Sequence, residues 1–398
     1  MNIGLFTDTY FPQISGVATS IKTLKDTLEE KGHSVYIFTT TDPKVAKDDA
    51  EPNVFRFASV PFVSFTERRI AIRGLFQALE VAKELDLDIV HTQTEFSMGM
   101  IGKFVAKNLK IPCIHTYHTM YEDYLHYVFN GKLLRATHVK QFTRLFLTHY
   151  SAVVAPSDRV LQTLQRYEIK TPIRVIPTGI DLKRFEHPVT ENIREIYNIG
   201  SRHLMLSLSR LGQEKRLDIV IKAMPQIIEH CPDAFLLIVG DGPAKEDLET
   251  LVEKLNLQDY VAFAGEIDHD RVGNFYHAAD LFISASDSET QGLTFDEALA
   301  AGIKCVVYAE PYVNRLFDDP SVGATFTTVD EMVSEAVQYL LHPAAFNDYQ
   351  TRQRKLYEIS ADGFGERILN FYQWTQMNYV DSEDEPDAIS DSDKEFLK

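Results

Sequence analysis

The sequence predicts an α/β protein made of two doubly wound halves, each a parallel sheet covered by helices on both faces. Three observations carry this. Short apolar segments bounded by turn residues recur from "NIGLFTD" to "IKCVVYAE". Segments with helical periodicity separate them, and that alternation is the mark of a parallel sheet. The chain is 398 residues long, enough for two or three domains.

The elements follow in order. "NIGLFTD" reads as a strand. Val17 to Lys31 reads as a helix with Ile21, Leu24 and Leu28 on one face, stopped by Gly32. "HSVYIFTT", "DIVHTQ", "IPCIHTY", "AVVAPS" and "RVIPTG" are the next strands. A linker is expected near Ile180 to Pro188. The second half repeats the style with "HLMLSLSRL", "AFLLIVGDGP", "VAFAGE", "DLFISASDS" and "IKCVVYAE" as strands. "DIVIKAMPQIIEHC", "KEDLETLVEKLNL" and "RVGNFYHAA" are helices between them, and "FGERILNFYQWTQMNY" is a last helix. Residues 381–398 hold eight acids and two lysines and read as a solvated tail.

Composition excludes several classes. No apolar run reaches the roughly 18 residues of a membrane span, and the first residues lack the pattern of a secretion signal. Cys113, Cys231 and Cys305 are too widely spaced for a disulfide framework or a zinc site, so a cytosolic protein with buried thiols is expected. The net charge of −18 is uneven. Residues 1–180 carry 21 Lys and Arg against 18 Asp and Glu, and the remainder 19 against 40. A basic face on an acidic protein fits an anionic membrane better than nucleic acid, for which no motif is present.

The chemistry concentrates in "SETQGLTFDEALAAG", Ser288 to Gly302. A strand runs into a loop and then a helix, whose first N–H groups are unpaired and partly positive. A phosphate can sit there, and Gly292 permits close backbone approach at the step into Leu293 and Thr294. Glu289 in the loop and Glu297 in the helix are double acceptors suited to sugar hydroxyls, such as a nucleotide ribose and a transferred hexose. The plainer reading is two surface acids. Arg210 and Lys215, in a loop after a strand, can neutralise a departing diphosphate, although surface charge is the commoner fate of such residues. "VGDGP", with Gly240 and Gly242, has the form of a loop beside a ligand. "DLD" at Asp86 to Asp88 and "DSD" at Asp391 to Asp393 resemble metal-binding acid pairs but open a strand and lie in the tail. No metal is implied, because Arg210 and Lys215 bring the charge a divalent ion would supply.

Arg210, Lys215, Glu289 and Glu297, together with "VIPTGID", resemble the retaining nucleotide-sugar glycosyltransferases of family four. The resemblance runs through about Tyr379. It implies the GT-B fold, two facing Rossmann-like domains with an inter-domain cleft. Residues 1–180 would then be the acceptor-binding and membrane-docking domain, completed by a C-terminal crossover helix over 364–379. Residues 181–363 would bind the nucleotide-sugar donor. The resemblance implies that Glu297 binds the ribose, Glu289 the donor hexose, and Arg210 with Lys215 the diphosphate. In "FPQISGVAT", Gly16 would approach the donor phosphate; the family often has two glycines there, and this chain has Ser15 then Gly16. The sequence lacks the dinucleotide fingerprint of a dehydrogenase. His118 of "HTYHTMYEDY" matches a histidine near the donor hexose, whereas His115 and His91 are left as core or strand-end residues. No cofactor is expected. Retention fits attack on the face the diphosphate leaves, with that phosphate taking the proton; double displacement stays open.

Tyr124 to Ser157 contains no acid but holds Lys132, Arg135, Lys140 and Arg144. Leu134, Val139, Phe142, Leu145 and Phe146 share one helical arc, the pattern of a helix lying on an anionic bilayer. "FVSFTERRIAIRGLFQAL" adds Arg68, Arg69 and Arg73. Two core-facing amphipathic helices would give the same pattern. "GLFTDTYFPQISGVATSIKTL", "HTQTEFS" and "IHTYHTMYEDYLHY" are also similar to the bacterial diacylglycerol glucosyltransferases. That similarity implies UDP-glucose as donor, the 3-hydroxyl of diacylglycerol as acceptor, a glucolipid that anchors lipoteichoic acid, and a peripheral place on the inner face of the cell membrane. A same-fold transferase with a soluble or polyprenyl acceptor, a sugar-nucleotide epimerase, and a sugar-nucleotide sensor without turnover are the alternatives.

Overall fold

The computed structural model describes residues 1–13, 15–45, 51–62, 65–71, 74–122, 136–185, 190–287, 289 and 291–381. They divide into two compact units, residues 1–179 with 361–398, and residues 180–360.

Among the described residues the first unit has nine strands: β1 Asn2–Phe6, β2 Ser34–Thr40, β3 Val54–Phe57, β4 Ser59–Phe62, β5 Phe65–Ala71, β6 Ile89–Thr92, β7 Cys113–Thr116, β8 Ala152–Ala155 and β9 Ile173–Val175. Seven form one sheet in the order β3-β2-β1-β6-β7-β8-β9, every pair parallel. β6, β7 and β8 are buried throughout, as strands covered on both faces must be. Ile3, Leu5, Ile37, Ile89 and Val154 face one core with Ile21, Leu24 and Leu28 of the helix Gly16–Glu30. Phe6, Phe38, Val90 and Val153 face the other. The helix Ala361–Met377 contributes Phe364, Ile368, Phe371 and Tyr372 to the first core. A Cβ at Gly365 would lie 2.4 Å from Cγ2 of Thr27, so glycine lets these two helices approach.

β4 and β5 pair as an antiparallel hairpin apart from that sheet. The basic stretch read from sequence as helical is therefore a strand, Phe65–Ala71, followed by a helix only from Leu75 to Glu84.

Among the described residues the second unit has six strands: β10 His203–Leu208, β11 Ala234–Val239, β12 Val261–Gly265, β13 Leu281–Ser284, β14 Lys304–Tyr308 and β15 Gly323–Phe326. Their order is β12-β11-β10-β13-β14-β15, again all parallel. Met205, Leu236 and Ile283 face one core, and Leu206, Leu237 and Phe282 the other. The two Rossmann-like units read from the sequence are thus present.

Candidate active site

Strand order locates the chemistry. In the second sheet β10 lies between β11 and β13, so winding reverses between β10 and β13. Loops at the carboxyl ends of strands flanking such a reversal form ligand crevices. Those loops carry Ser209 to Arg216 after β10 and Ala285 to Gly292 after β13.

Two ion pairs tie the loops together. Lys215 Nζ lies 2.6 Å from Glu289 Oε1, with side chains only 19% and 20% exposed. Arg216 lies 2.7 Å from Asp287 Oδ2 and over the Tyr308 ring at 5.1 Å. Lys215 and Glu289 were each expected to meet donor, and the structure pairs them with each other. Arg210 is exposed, and its side chain has no bonded partner among the described residues.

The loop after β11 closes on the same place. Gly240 has φ +129°, and a Cβ there would lie 1.9 Å from the Ser209 carbonyl oxygen. Leu211 N–H donates to the Asp241 carbonyl at 2.9 Å, and Ala244 N–H to the Leu211 carbonyl at 2.9 Å. Only glycine permits this approach at 240.

The helix Leu293–Ala300 begins at Gly292, left-handed at φ 83°, and no side chain caps it. The first N–H groups of such a helix can serve an anion. Glu297 accepts from the Tyr276 hydroxyl at 2.9 Å. Burial pushes its carboxyl up to about 7, against the Tyr276 bond and the charge of Arg184. Asp296 is wholly buried and accepts from the Tyr312 hydroxyl at 2.7 Å and the Gln291 amide at 2.9 Å. Burial pushes it up to about 8, with those two bonds opposing and the Glu297 charge adding to the rise. Sequence reasoning missed Asp296, Gln291, Tyr312 and Tyr276. An acid between apolar helix positions was the available signal at Asp296.

In the first unit, winding reverses between β1 and β6. Asp8, after β1, takes the Thr94 hydroxyl at 2.7 Å, the Ser97 hydroxyl, and the Met98 N–H at 3.1 Å. It thereby caps the helix Ser97–Leu109 from another strand, and burial raises its pKa. Gly16 opens its helix behind the Ser15 cap, whose hydroxyl accepts from Ala18 N–H at 3.1 Å, and a Cβ on Gly16 would meet open space. His118 Nε2 lies 2.8 Å from Gln93 Oε1. Burial and the charge of His115 push His118 down to about 3. His115 and His91 are fully buried and hydrogen bonded, His91 to Tyr372 and Thr116 at 2.7 Å each.

Of the basic residues, Arg73, Lys132 and Arg135 lie outside the described residues, as does the side chain of Arg68 on β5. Arg69 donates to Ser59. Lys140 and Arg144 stand on the helix Ala136–Leu147, 3.0 and 3.1 Å from Glu168. Val139 and Phe146 of that helix are buried in the core, whereas Phe142 is 42% exposed. Leu145 is half-buried, so the protein interior takes up part of the apolar arc. Leu134, expected on that arc, lies outside the described residues.

The family is legible in comparison as well. Residues 14–184 match the model described as Glycosyltransferase Family 4, and residues 189–355 the one described as Glycosyl transferases group 1. The chain belongs to this family and is a glycosyltransferase. The alpha-monoglucosyldiacylglycerol synthase of Streptococcus pneumoniae is 46% identical, over 94% of this chain and 85% of that protein. The synthase of the same name from Acholeplasma laidlawii is 32% identical, over 86% and 89%. Among solved structures, Anabaena HepE in complex with UDP superposes with a TM-score of 0.73 at 15% identity, covering 94% of this chain and all of that one. Sucrose-phosphate synthase from Thermosynechococcus elongatus gives 0.71 at 22%, covering 94% and 98%. These two bear on the fold alone. Among the described residues, no helix is long and apolar enough to cross a membrane.

Proposed function

We propose that this enzyme transfers glucose from UDP-glucose to the 3-hydroxyl of 1,2-diacylglycerol, with retention at the anomeric carbon and without a bound metal. Its product is a membrane glucolipid of the kind that anchors lipoteichoic acid. The names of the two synthases support the acceptor and the sugar. The observation that supports the donor reading is the Lys215–Glu289 ion pair joining the loops after β10 and β13, with the second loop leading into a helix whose start no side chain caps.

In this reading the diphosphate lies against the N–H groups of Leu293 and Thr294 and draws on Arg210 and Lys215. Positive charge held in place where the leaving group becomes more negative favours departure. Glu289 gives up part of its bond to Lys215 and accepts from hexose hydroxyls, while Glu297 accepts from the ribose. Gly240 and Gly292 admit the ligand to the backbone. Gly16 and His118, which belong to the first unit, complete the proposed set. The acceptor hydroxyl attacks the face the diphosphate leaves, and a phosphate oxygen takes its proton.

The enzyme would work as a peripheral protein on the cytoplasmic face of the cell membrane. Phe76, Met100 and Phe142 of the first unit are exposed, and Arg69, Lys140 and Arg144 lie in the same unit. Arg68, Arg73, Lys132 and Arg135 complete the proposed basic set, which attracts anionic lipid.

The test is transfer from radiolabelled UDP-glucose to diacylglycerol in anionic vesicles without added metal. Label in a monoglucosyl lipid is expected. UDP release without lipid product would overturn the acceptor. Neither would overturn the donor.

A further inference from the structure

Gln93 follows β6 at the point where the first sheet reverses its winding. Its backbone N–H donates to the Phe6 carbonyl at 2.8 Å, fixing the residue against β1. Its side chain is 2% exposed. Oε1 accepts from His118 Nε2–H at 2.8 Å. His118 is held neutral by its burial, so its ring has one N–H, and this bond uses it. The amide Nε2 of Gln93 is buried and has no hydrogen-bond partner among the described residues.

The surrounding groups are paired. His115 meets Thr92 at 2.8 Å and Glu95 at 3.3 Å. Glu95 also accepts from the Tyr121 hydroxyl. His91 is shared between Tyr372 and Thr116. An orphaned donor in so well satisfied a cluster is costly and calls for a reason. A residue needed only to orient His118 requires an acceptor, which a carboxylate supplies without an orphan. Among the described residues, the side-chain hydrogen bonds around Gln93 and His118 bring in two carboxyls, Asp8 and Glu95, while Arg56 is spent on the backbone carbonyls of Phe11 and Thr40. Such surroundings disfavour a phosphate and suit a neutral hydroxyl.

We propose that Gln93 is a substrate-binding residue whose amide N–H donates to a hydroxyl of the bound sugar or of the glycerol acceptor. This rests on the glycosyl-transfer reading and deepens it. The residue has two bonds, one holding His118 and one reaching substrate.

The experiment compares Gln93→Glu and Gln93→Met with the wild type, after circular dichroism has established that each folds. Gln93→Glu keeps an acceptor for His118 and loses the neutral amide donor. Gln93→Met keeps the length and loses both. Both variants are expected to lose about 10- to 100-fold in kcat/KM. A rise confined to KM for UDP-glucose assigns the hydroxyl to the sugar, and one confined to KM for diacylglycerol assigns it to the glycerol. Transfer within twofold of wild type in either variant overturns the inference; if only Gln93→Glu retains it, the residue merely orients His118. A wild type that makes no glucolipid overturns the acceptor reading instead. UDP release from UDP-glucose by the same proteins then tests the role of Gln93, with the same thresholds.

Discussion

Replacing Asp296 by Asn should stabilise the second unit near neutral pH. The carboxyl is fully buried, and its bonds come from two neutral groups, Tyr312 and Gln291. Its pKa stands at about 8 against an ordinary 3.8. A carboxyl with a raised pKa binds its proton in the folded state over a range where the unfolded chain has released it. Its stabilising contribution is complete below about pH 4 and is lost as pH rises towards 8. Each pH unit across that window is worth about 1.4 kcal/mol. At pH 7 the burden is on the order of 4 kcal/mol. Asn has the same shape, accepts from Tyr312, and can donate to a turned Gln291 amide. The assay is urea unfolding followed by circular dichroism, comparing Asn with the parent at pH 4, 5, 6, 7 and 8. The difference should be small at pH 4 and grow in favour of Asn with each step. A difference independent of pH, or one that favours the parent at pH 7, would show that Asp296 is ionised and satisfied, and would refute the reasoning.

Other outcomes follow from the same geometry. Lys215→Ala and Glu289→Ala should each cut turnover by at least about 100-fold while far-ultraviolet circular dichroism stays unchanged; wild-type turnover in either removes these residues from the site. Gly240→Ala should cost on the order of 3 kcal/mol or more, because a Cβ meets the Ser209 carbonyl at 1.9 Å in a conformation reserved for glycine; an unchanged melting temperature with intact UDP binding by calorimetry would contradict this. Glu168→Gln removes the carboxylate that pairs with Lys140 and Arg144 and should raise binding to anionic vesicles at low salt by about fivefold. If cosedimentation is unmoved, that helix serves the core and not the membrane.

The loop residues were legible because their signals are local. Arg210 and Lys215 follow an apolar run, and Glu289 and Gly292 lie between a strand pattern and a helix pattern. The tie between Lys215 and Glu289 was not legible, since it joins residues 74 apart through strand order. Gln93 escaped for a related reason. A glutamine after a strand is unremarkable until its neighbours reveal an orphaned donor. The hairpin β4–β5 was misread because the basic stretch was taken together with the apolar run that follows it, where a helix does begin at Leu75; Pro61 on the short partner strand was the contrary sign.

The sequence by itself determined that this protein is two parallel α/β units, because apolar periodicity and turn residues act over a few positions and dictate strand and helix directly. It also determined the family, because the residues that carry the resemblance sit in short local motifs. Only the tertiary structure decided which strands are neighbours, and so which loops meet. Burial of Asp296, Glu297 and His118 likewise arises from segments far apart in the chain, and burial is what moved their pKa values. A side chain's charge state depends on the solvent it loses, and no stretch of sequence contains that solvent.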